Sequence, residues 1–69
     1  MLGIMEWHKK VLYARTKLDI SQTELAKQLG VSYATVSRWE NQRTKPTKKQ
    51  ELAFVLFCQD HAIEFPDLK

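Results

Sequence analysis

Two short amphipathic segments separated by Gly30 constrain this chain more than any other feature of its sequence. Ser21 precedes the first segment and Glu24 follows three residues later, which is the capping-box pattern of a helix start. Gly30 predicts the end of that helix, because glycine readily takes the left-handed conformation usual just past a helix C-terminus. Ser32 is placed to cap the next helix. The sequence therefore predicts two short helices joined by a tight turn over residues 22–41, the helix-turn-helix arrangement.

The two predicted helices carry apolar faces that can pack together. Leu25 and Leu29 lie one turn apart on the first helix, and the small side chain of Ala26 beside them allows the second helix to approach closely. Val36 and Trp39 lie inward on the second helix at a spacing of three residues. We therefore expect these residues to share one core.

The opposite face of the second helix carries side chains suited to the edges of DNA bases. Arg38 can bond both O6 and N7 of guanine, Ser37 can donate to or accept from several bases, and the methyl group of Ala34 can pack against that of thymine. Tyr33, near the helix start, can reach a base edge or a phosphate. We therefore predict that base contacts are made by Tyr33, Ala34, Ser37 and Arg38.

Positive charge is concentrated in the part of the chain that carries this motif. Residues 1–50 hold ten Lys and Arg against four Asp and Glu, a balance of +6, whereas residues 51–69 hold one against four, a balance of −3. Cationic side chains bind phosphates and release counterions, so this asymmetry is expected for phosphate binding. Basic surfaces also occur on proteins that bind no nucleic acid, and it is together with the helix-turn-helix pattern that the charge favours double-stranded DNA as the partner.

A short basic loop follows the second helix. Pro46 prevents that helix from continuing, and the capping-box pair Thr47 and Gln50 predicts a new helix that starts near Lys48. Lysines in a first turn oppose the helix dipole, and a bound anion would relieve that conflict. We therefore predict phosphate contacts by Arg43, Lys45 and Lys48.

Several stretches of the chain resemble the DNA-binding domain of the phage repressor and Cro group, also called the Xre family: residues 18–22, 24–26, 29–32, 36–41 and 45–46. The resemblance runs from about Val11 to about Leu56. It implies an all-α, lambda-repressor-like fold, a compact bundle of about five short helices. In that fold the second helix of the motif lies in the major groove.

The resemblance also implies roles for individual residues. Gln22 would contact a phosphate and brace the next helix, and Asn41 would hold the DNA backbone. Arg15 and Glu40 would form a buried ion pair that joins the first helix to the recognition helix.

Two positions depart from the pattern of that family. Gln42 stands where Gly is usual, so a left-handed conformation there would be strained by about 1 kcal/mol, or the helix would run on slightly. Asp19 stands where Gly is frequent, and Asp tolerates the left-handed conformation better than most residues.

The first predicted helix runs from Met5 to Leu18. Trp7, Val11, Ala14 and Leu18 share one face of it, which we expect to be buried. Met1 and Met5 are both candidates for the natural start.

The stretch 52–58 is apolar nearly all round, which indicates a helix buried on two sides. We expect its core face to consist of Leu52, Ala53, Val55 and Leu56. The second face then holds Phe54, Phe57 and Cys58, with His61. Either the C-terminal residues Ile63, Phe65 and Leu68 cover that face, or a second protomer does. We favour a homodimer in which Phe54 and Phe57 form the contact surface between the two protomers.

Length and composition limit what the chain can do. With 69 residues we expect one domain over 1–69, in which the segment 48–69 contributes to dimerisation. Cys58 cannot form an internal disulfide and is predicted to be a small buried hydrophobe. No apolar run approaches a membrane span and no leader pattern is present, so we expect a cytoplasmic protein without a membrane partner.

No arrangement of residues in the sequence indicates catalysis. His8 and His61 are far apart, no His and Cys spacing fits zinc, and neither a glycine-rich phosphate loop nor a Ser/His/Asp set is evident. We therefore expect no enzyme, no cofactor and no metal site.

These patterns together predict a DNA-binding transcriptional regulator, most simply a repressor. It would bind an inverted-repeat operator through the major groove as a homodimer. Two alternatives stay open. One is an antitoxin or restriction-modification controller that also binds a protein partner through Phe54 and Phe57. The other is a protein-interaction module that has lost DNA binding.

Overall fold

The computed structural model describes residues 6–65, which form four α-helices and no β-strand. The helices are α1 (Trp7–Leu18), α2 (Gln22–Leu29), α3 (Tyr33–Glu40) and α4 (Lys48–Asp60). The expected all-α fold is confirmed, with four helices in the described residues rather than about five. Met5, the predicted start of the first helix, lies outside the described residues. No helix within 6–65 combines the length and apolar character needed to cross a membrane.

Side-chain caps determine where three of the helices begin. The Ser32 hydroxyl accepts the amide of Thr35 at 3.1 Å and so starts α3. Thr47 and Gln50 form both bonds of the predicted capping box, at 3.1 and 3.0 Å, and so start α4. The Ser21 hydroxyl accepts the amide of Glu24 at 3.0 Å at the start of α2.

The capping box predicted at the start of α2 is therefore only half formed. The carboxylate of Glu24 does not reach back to Ser21 but accepts a hydrogen bond from Gln28 at 3.2 Å. Gln28 lies one turn further along the same exposed helix face, where such pairs form readily. The prediction for Ser21 is confirmed and that for Glu24 is wrong.

All four helices end in the same way, with one residue in the left-handed conformation. The four residues are Asp19 (φ 55°), Gly30 (φ 73°), Gln42 (φ 61°) and Ala62 (φ 54°). In each case the left-handed residue and the one after it donate backbone hydrogen bonds to the last turn, for example from Arg43 N to Arg38 O at 2.8 Å. This is the Schellman motif. Only one of the four sites has the glycine that makes the conformation free of strain.

A single core lies between the helices. Its largest fully buried side chains come from all four helices: Val11, Leu25, Val36, Trp39 and Phe54. The ring of Trp7 packs edge-on against Trp39 at 5.3 Å and against Phe54 at 4.8 Å. The predicted inward faces of α1, α2 and α3 are thereby confirmed.

The predicted rotation of α4 is wrong. Phe54, Phe57 and Cys58 face the core, whereas the leucines and valine predicted to be buried are exposed: Leu52 by 58%, Val55 by 42% and Leu56 by 51%. The ring of Phe54 faces inward because it fills the space beside the large rings of Trp7 and Phe65. Phe54 contacts Trp7 on one side and stacks on Phe65 at 6.2 Å on the other.

Phe54 and Phe57 are therefore not a dimer surface in this structure. The sequence analysis left two possibilities for what packs over this face, the C-terminal residues or a second protomer. In the structure the C-terminal segment of the same chain packs there. Ile63 and Phe65 pack against the core, and Phe65 also contacts Tyr13 at 5.5 Å. Leu68 lies outside the described residues. Cys58 is buried as predicted, and burial raises the pKa of its thiol to about 11.

Candidate nucleic-acid interface

The outer face of α3 lies opposite the side chains that anchor this helix in the core. Val36 and Trp39 anchor the helix, with 0% and 1% of their surface exposed. The predicted base-contacting residues lie on the remaining circumference. Tyr33 and Arg38 are exposed, and Ala34 and Ser37 are half-buried. The structure thus brings all four onto one helix of two turns, on the side that faces away from the core.

The C-terminal end of this face is organised by Asn41. Its amide nitrogen donates to the carbonyl oxygen of Ser37 at 2.9 Å and lies 3.4 Å from the Ser37 hydroxyl. The Ser37 hydroxyl accepts in this arrangement and keeps its own hydrogen for donation to another acceptor. Asn41 therefore orients Ser37, a role that the resemblance did not suggest.

The start of α3 carries a hydrogen-bonded pair that the sequence reasoning missed. The hydroxyl groups of Ser32 and Thr35 lie 2.9 Å apart at the N-terminal end of α3, next to Tyr33 in the chain. The spacing of three residues that predicted the Ser32 cap could also have indicated this pair.

An ion pair fixes the orientation of α3 relative to α1. Arg15 Nε donates to Glu40 Oε2 at 2.7 Å, and Arg15 Nη2 donates to Glu40 Oε1 at 2.9 Å. The predicted pair is thus present in the two-pronged geometry that suits guanidinium and carboxylate. The side chains are 20% and 12% exposed, so the pair is partly rather than fully buried.

Gln22 connects α2 to the same carboxylate. Its amide nitrogen donates to Glu40 Oε1 at 2.8 Å, which is the predicted brace between the two helices of the motif. Desolvation raises the pKa of Glu40, but the hydrogen bonds from Arg15 and Gln22 and the charge of Arg15 outweigh that effect, so this pKa lies below its usual value. Glu40 is therefore ionised at neutral pH, and three helices converge on it.

The basic residues predicted to contact phosphates follow α3. Arg43 and Lys45 lie in the loop and Lys48 begins α4, and all three are exposed. The path of the loop is set by the left-handed Gln42, whose amide donates to Trp39 O at 3.1 Å. The loop therefore leaves α3 immediately, as glycine would allow, but with the strain expected of a residue that has a Cβ atom.

No group of three or more His, Cys, Asp or Glu side chains within residues 6–65 is arranged to hold a metal ion. The groups at the surface on and after α3 are instead hydrogen-bond donors and cations, such as Ser37, Arg38 and Arg43.

Comparison with known proteins agrees with this geometry. The helix-turn-helix family model matches residues 11–50. The transcriptional regulator DicA of Escherichia coli K12, described as HTH-type, is 38% identical over 61 residues. That alignment covers 86% of this chain and 45% of DicA, so the chain spans about half the length of this relative.

A solved structure is similar over most of the fold. The P22 c2 repressor, crystallised with the synthetic operator 9T in the presence of Tl+, matches with a TM-score of 0.73 and 32% identity. The match covers 81% of this chain and 85% of the repressor chain. The fold, the motif and both relatives lead to the same assignment: the chain belongs to the helix-turn-helix family of phage repressor and Cro-like (Xre-type) domains.

Proposed function

We propose that this protein is a sequence-specific DNA-binding transcriptional regulator that represses by occupying an inverted-repeat operator as a homodimer. The observation that carries the proposal is the exposed face of α3, held in place by the contacts of Glu40 with Arg15 and Gln22. A helix that is polar outside, anchored inside and braced at its end suits insertion into the major groove. DicA, a transcriptional regulator, and the operator-bound P22 c2 repressor support this proposal.

Base reading is assigned to the outer face of α3. Arg38 would bond guanine through O6 and N7, and Ser37 would donate its free hydroxyl hydrogen to a base edge. The methyl group of Ala34 would contact thymine, and Tyr33 would reach a base or a phosphate near the helix start.

Phosphate binding is assigned to residues on either side of the groove. Gln22 uses one N–H of its amide for Glu40 and keeps the second for a phosphate. Arg43, Lys45 and Lys48 supply charge. To donate its side-chain N–H to a phosphate, Asn41 would first have to give up its hydrogen bonds to Ser37. We therefore expect Asn41 to contribute less to phosphate binding than the other residues.

The proposal places the protein in the cytoplasm, a compartment that holds DNA and keeps thiols such as Cys58 reduced. The alternative of an antitoxin or restriction-modification controller loses the partner surface first assigned to it, because Phe54 and Phe57 are buried.

Selection of bound sequences from a random duplex pool at near-physiological salt tests the proposal. We expect an enriched inverted repeat whose half sites lie about 34 Å apart, one helical turn of DNA. Absence of any enriched sequence would refute sequence-specific binding.

Substitution of Arg38 provides the matching mutational test. Arg38→Ala should lose about 1–3 kcal/mol of binding free energy on the selected site and relax the base preference at one position. Arg43→Ala is the matched control, since loss of a phosphate contact weakens binding to all sequences alike. Equal losses on all sequences for both variants would show that Arg38 does not read a base.

A further inference from the structure

The side chain of Asn41 reaches back from the C-terminal cap of α3 over the preceding turn of the helix. Its amide nitrogen donates to the carbonyl oxygen of Ser37 at 2.9 Å and lies 3.4 Å from the Ser37 hydroxyl oxygen. A carbonyl oxygen can only accept a hydrogen bond, so the Asn41 atom that faces it is the nitrogen and not the oxygen. The amide of Asn41 therefore turns its two N–H groups toward Ser37.

This contact gives the Ser37 hydroxyl a direction. A hydroxyl group carries one hydrogen and two lone pairs, and it rotates to suit its neighbours. An N–H group beside the oxygen attracts a lone pair and repels the hydroxyl hydrogen, which therefore points away from Asn41. Within residues 6–65 no group other than Asn41 forms a hydrogen bond with this hydroxyl, so its hydrogen stays available. Accepting one hydrogen bond also makes a hydroxyl a stronger donor in the next.

The direction of this hydroxyl has a consequence for base recognition in the complex proposed above. In the major groove guanine presents only acceptors, N7 and O6, whereas cytosine presents its amino group as a donor. A serine hydroxyl that rotates freely can bond either edge, and so it discriminates little between a G·C pair and its inversion. A hydroxyl that is held as a donor favours the guanine edge.

We infer that Asn41 is a positioning residue for base recognition, which holds the Ser37 hydroxyl as a donor and so makes Ser37 select a base edge that accepts. The inference rests on the proposed function and names a residue that sets specificity through another side chain. In this arrangement both N–H groups of Asn41 face Ser37, and only its amide oxygen remains for the DNA. A phosphate diester has no hydrogen to donate to that oxygen, so a phosphate is a poor partner for Asn41 here.

Replacement of Asn41 by aspartate should reverse the direction of the Ser37 hydroxyl. A carboxylate can only accept, so it would take the hydroxyl hydrogen and leave the lone pairs of Ser37 directed toward the groove. The variant should then favour the cytosine amino group over the guanine acceptors. Asn41→Ala removes the contact altogether, so the Ser37 hydroxyl should rotate freely and lose most of its preference.

Competition between two duplexes that differ by inversion of one G·C pair measures this preference. The base pair to invert is the one at which Ser37→Ala loses selectivity, found by repeating the selection experiment with that variant. We expect the wild type to favour one orientation by about fivefold, as suits a single hydrogen bond. The preference should fall to within about twofold in Asn41→Ala and change sign in Asn41→Asp.

Two controls separate the orientation of Ser37 from the added negative charge. Gln42→Glu places the same charge on the next residue, which is also exposed, and should weaken binding to both duplexes alike. Asn41→Asp combined with Ser37→Ala should show no preference between the two duplexes, because the hydroxyl that Asn41 orients is then absent.

The outcomes distinguish this inference from the proposed function. A preference that is the same in the wild type, Asn41→Ala and Asn41→Asp would overturn the inference and leave sequence-specific binding in place. So would full selectivity at every base pair in Ser37→Ala, or a reversal by Asn41→Asp that persists without the Ser37 hydroxyl. Absence of any sequence enriched by the wild type would refute the proposed function, and the inference with it.

Discussion

Removal of Arg15 should expose how much the fold depends on the carboxylate of Glu40. Arg15→Ala deletes two charge-assisted hydrogen bonds to Glu40, at 2.7 and 2.9 Å, and one to the carbonyl oxygen of Ile20 at 3.2 Å. The carboxylate then keeps only Gln22 as a side-chain partner. We expect a large loss of stability from this single change.

The size of the loss follows from the exposure of the pair. Stranding a fully buried charge costs about 3–5 kcal/mol. Here the side chains of Arg15 and Glu40 are 20% and 12% exposed, so water and Gln22 partly compensate. We therefore expect Arg15→Ala to lower the free energy of unfolding by about 2–4 kcal/mol at pH 7. That is a large part of the roughly 4–10 kcal/mol expected for a domain of this length.

Urea unfolding followed by tryptophan fluorescence measures this loss, because Trp39 is 1% exposed in the fold and becomes solvated on unfolding. With a denaturant slope of about 1 kcal/mol/M, the midpoint should fall by about 2 M or more. The double variant Arg15→Met with Glu40→Leu should regain most of the loss, since an apolar pair leaves no buried charge.

The dependence on pH provides the decisive comparison. The pKa of Glu40 is lower in the folded protein than in the unfolded chain, so its ion pair stabilises the fold above the unfolded pKa, about 4.3, and that contribution is lost as pH falls through the folded value. The difference between wild type and Arg15→Ala should therefore shrink below about pH 4. An equal difference at pH 3 and pH 7 would show that the stranded charge is not the cause.

Three further outcomes follow from the structure. Gln42→Gly should raise the free energy of unfolding by about 0.5–1 kcal/mol, because it relieves a left-handed residue at φ 61° at some cost in chain entropy, and a loss of stability in thermal unfolding would contradict this. Lys45→Ala should weaken DNA binding alike on all sequences and lower the slope of log affinity against log salt by about one, and an unchanged slope would remove Lys45 from the phosphate contacts. Cys58, with its thiol pKa raised to about 11, should resist alkylation at pH 8 in the folded protein and react promptly in urea; rapid reaction without denaturant would contradict its burial. The raised pKa also means that the buried neutral thiol stabilises the fold below the unfolded pKa of about 8.5, and that this contribution is lost as pH rises toward 11.

Local signals in the sequence predicted the helix ends well. Ser32, Thr47 and Gln50 act on amides within three residues of themselves, so their hydrogen bonds follow from spacing alone. The left-handed Gly30 and Asp19 likewise follow from residue type. Ala62 offered no such signal, because alanine has no preference for the left-handed region and takes it here only as Ile63 folds back onto the core.

Contacts between distant residues were predicted only where a resemblance supplied them. Arg15 and Glu40 are separated by 25 positions, and no periodicity within either helix pairs them. For α4 the apolar pattern identified two faces but not which one was inward. That choice depends on which ring fills the gap beside Trp7, and only the assembled core determines it.

The braces on Glu40 also have a consequence for the proposed binding of DNA. Because α1 and α2 both hold the end of α3, the recognition helix cannot rock to suit an imperfect groove without breaking hydrogen bonds shorter than 3 Å. Any adjustment must therefore come from the duplex, through its twist, bend or groove width. In the complex proposed above, base pairs between the two half sites should thus influence affinity through their stiffness.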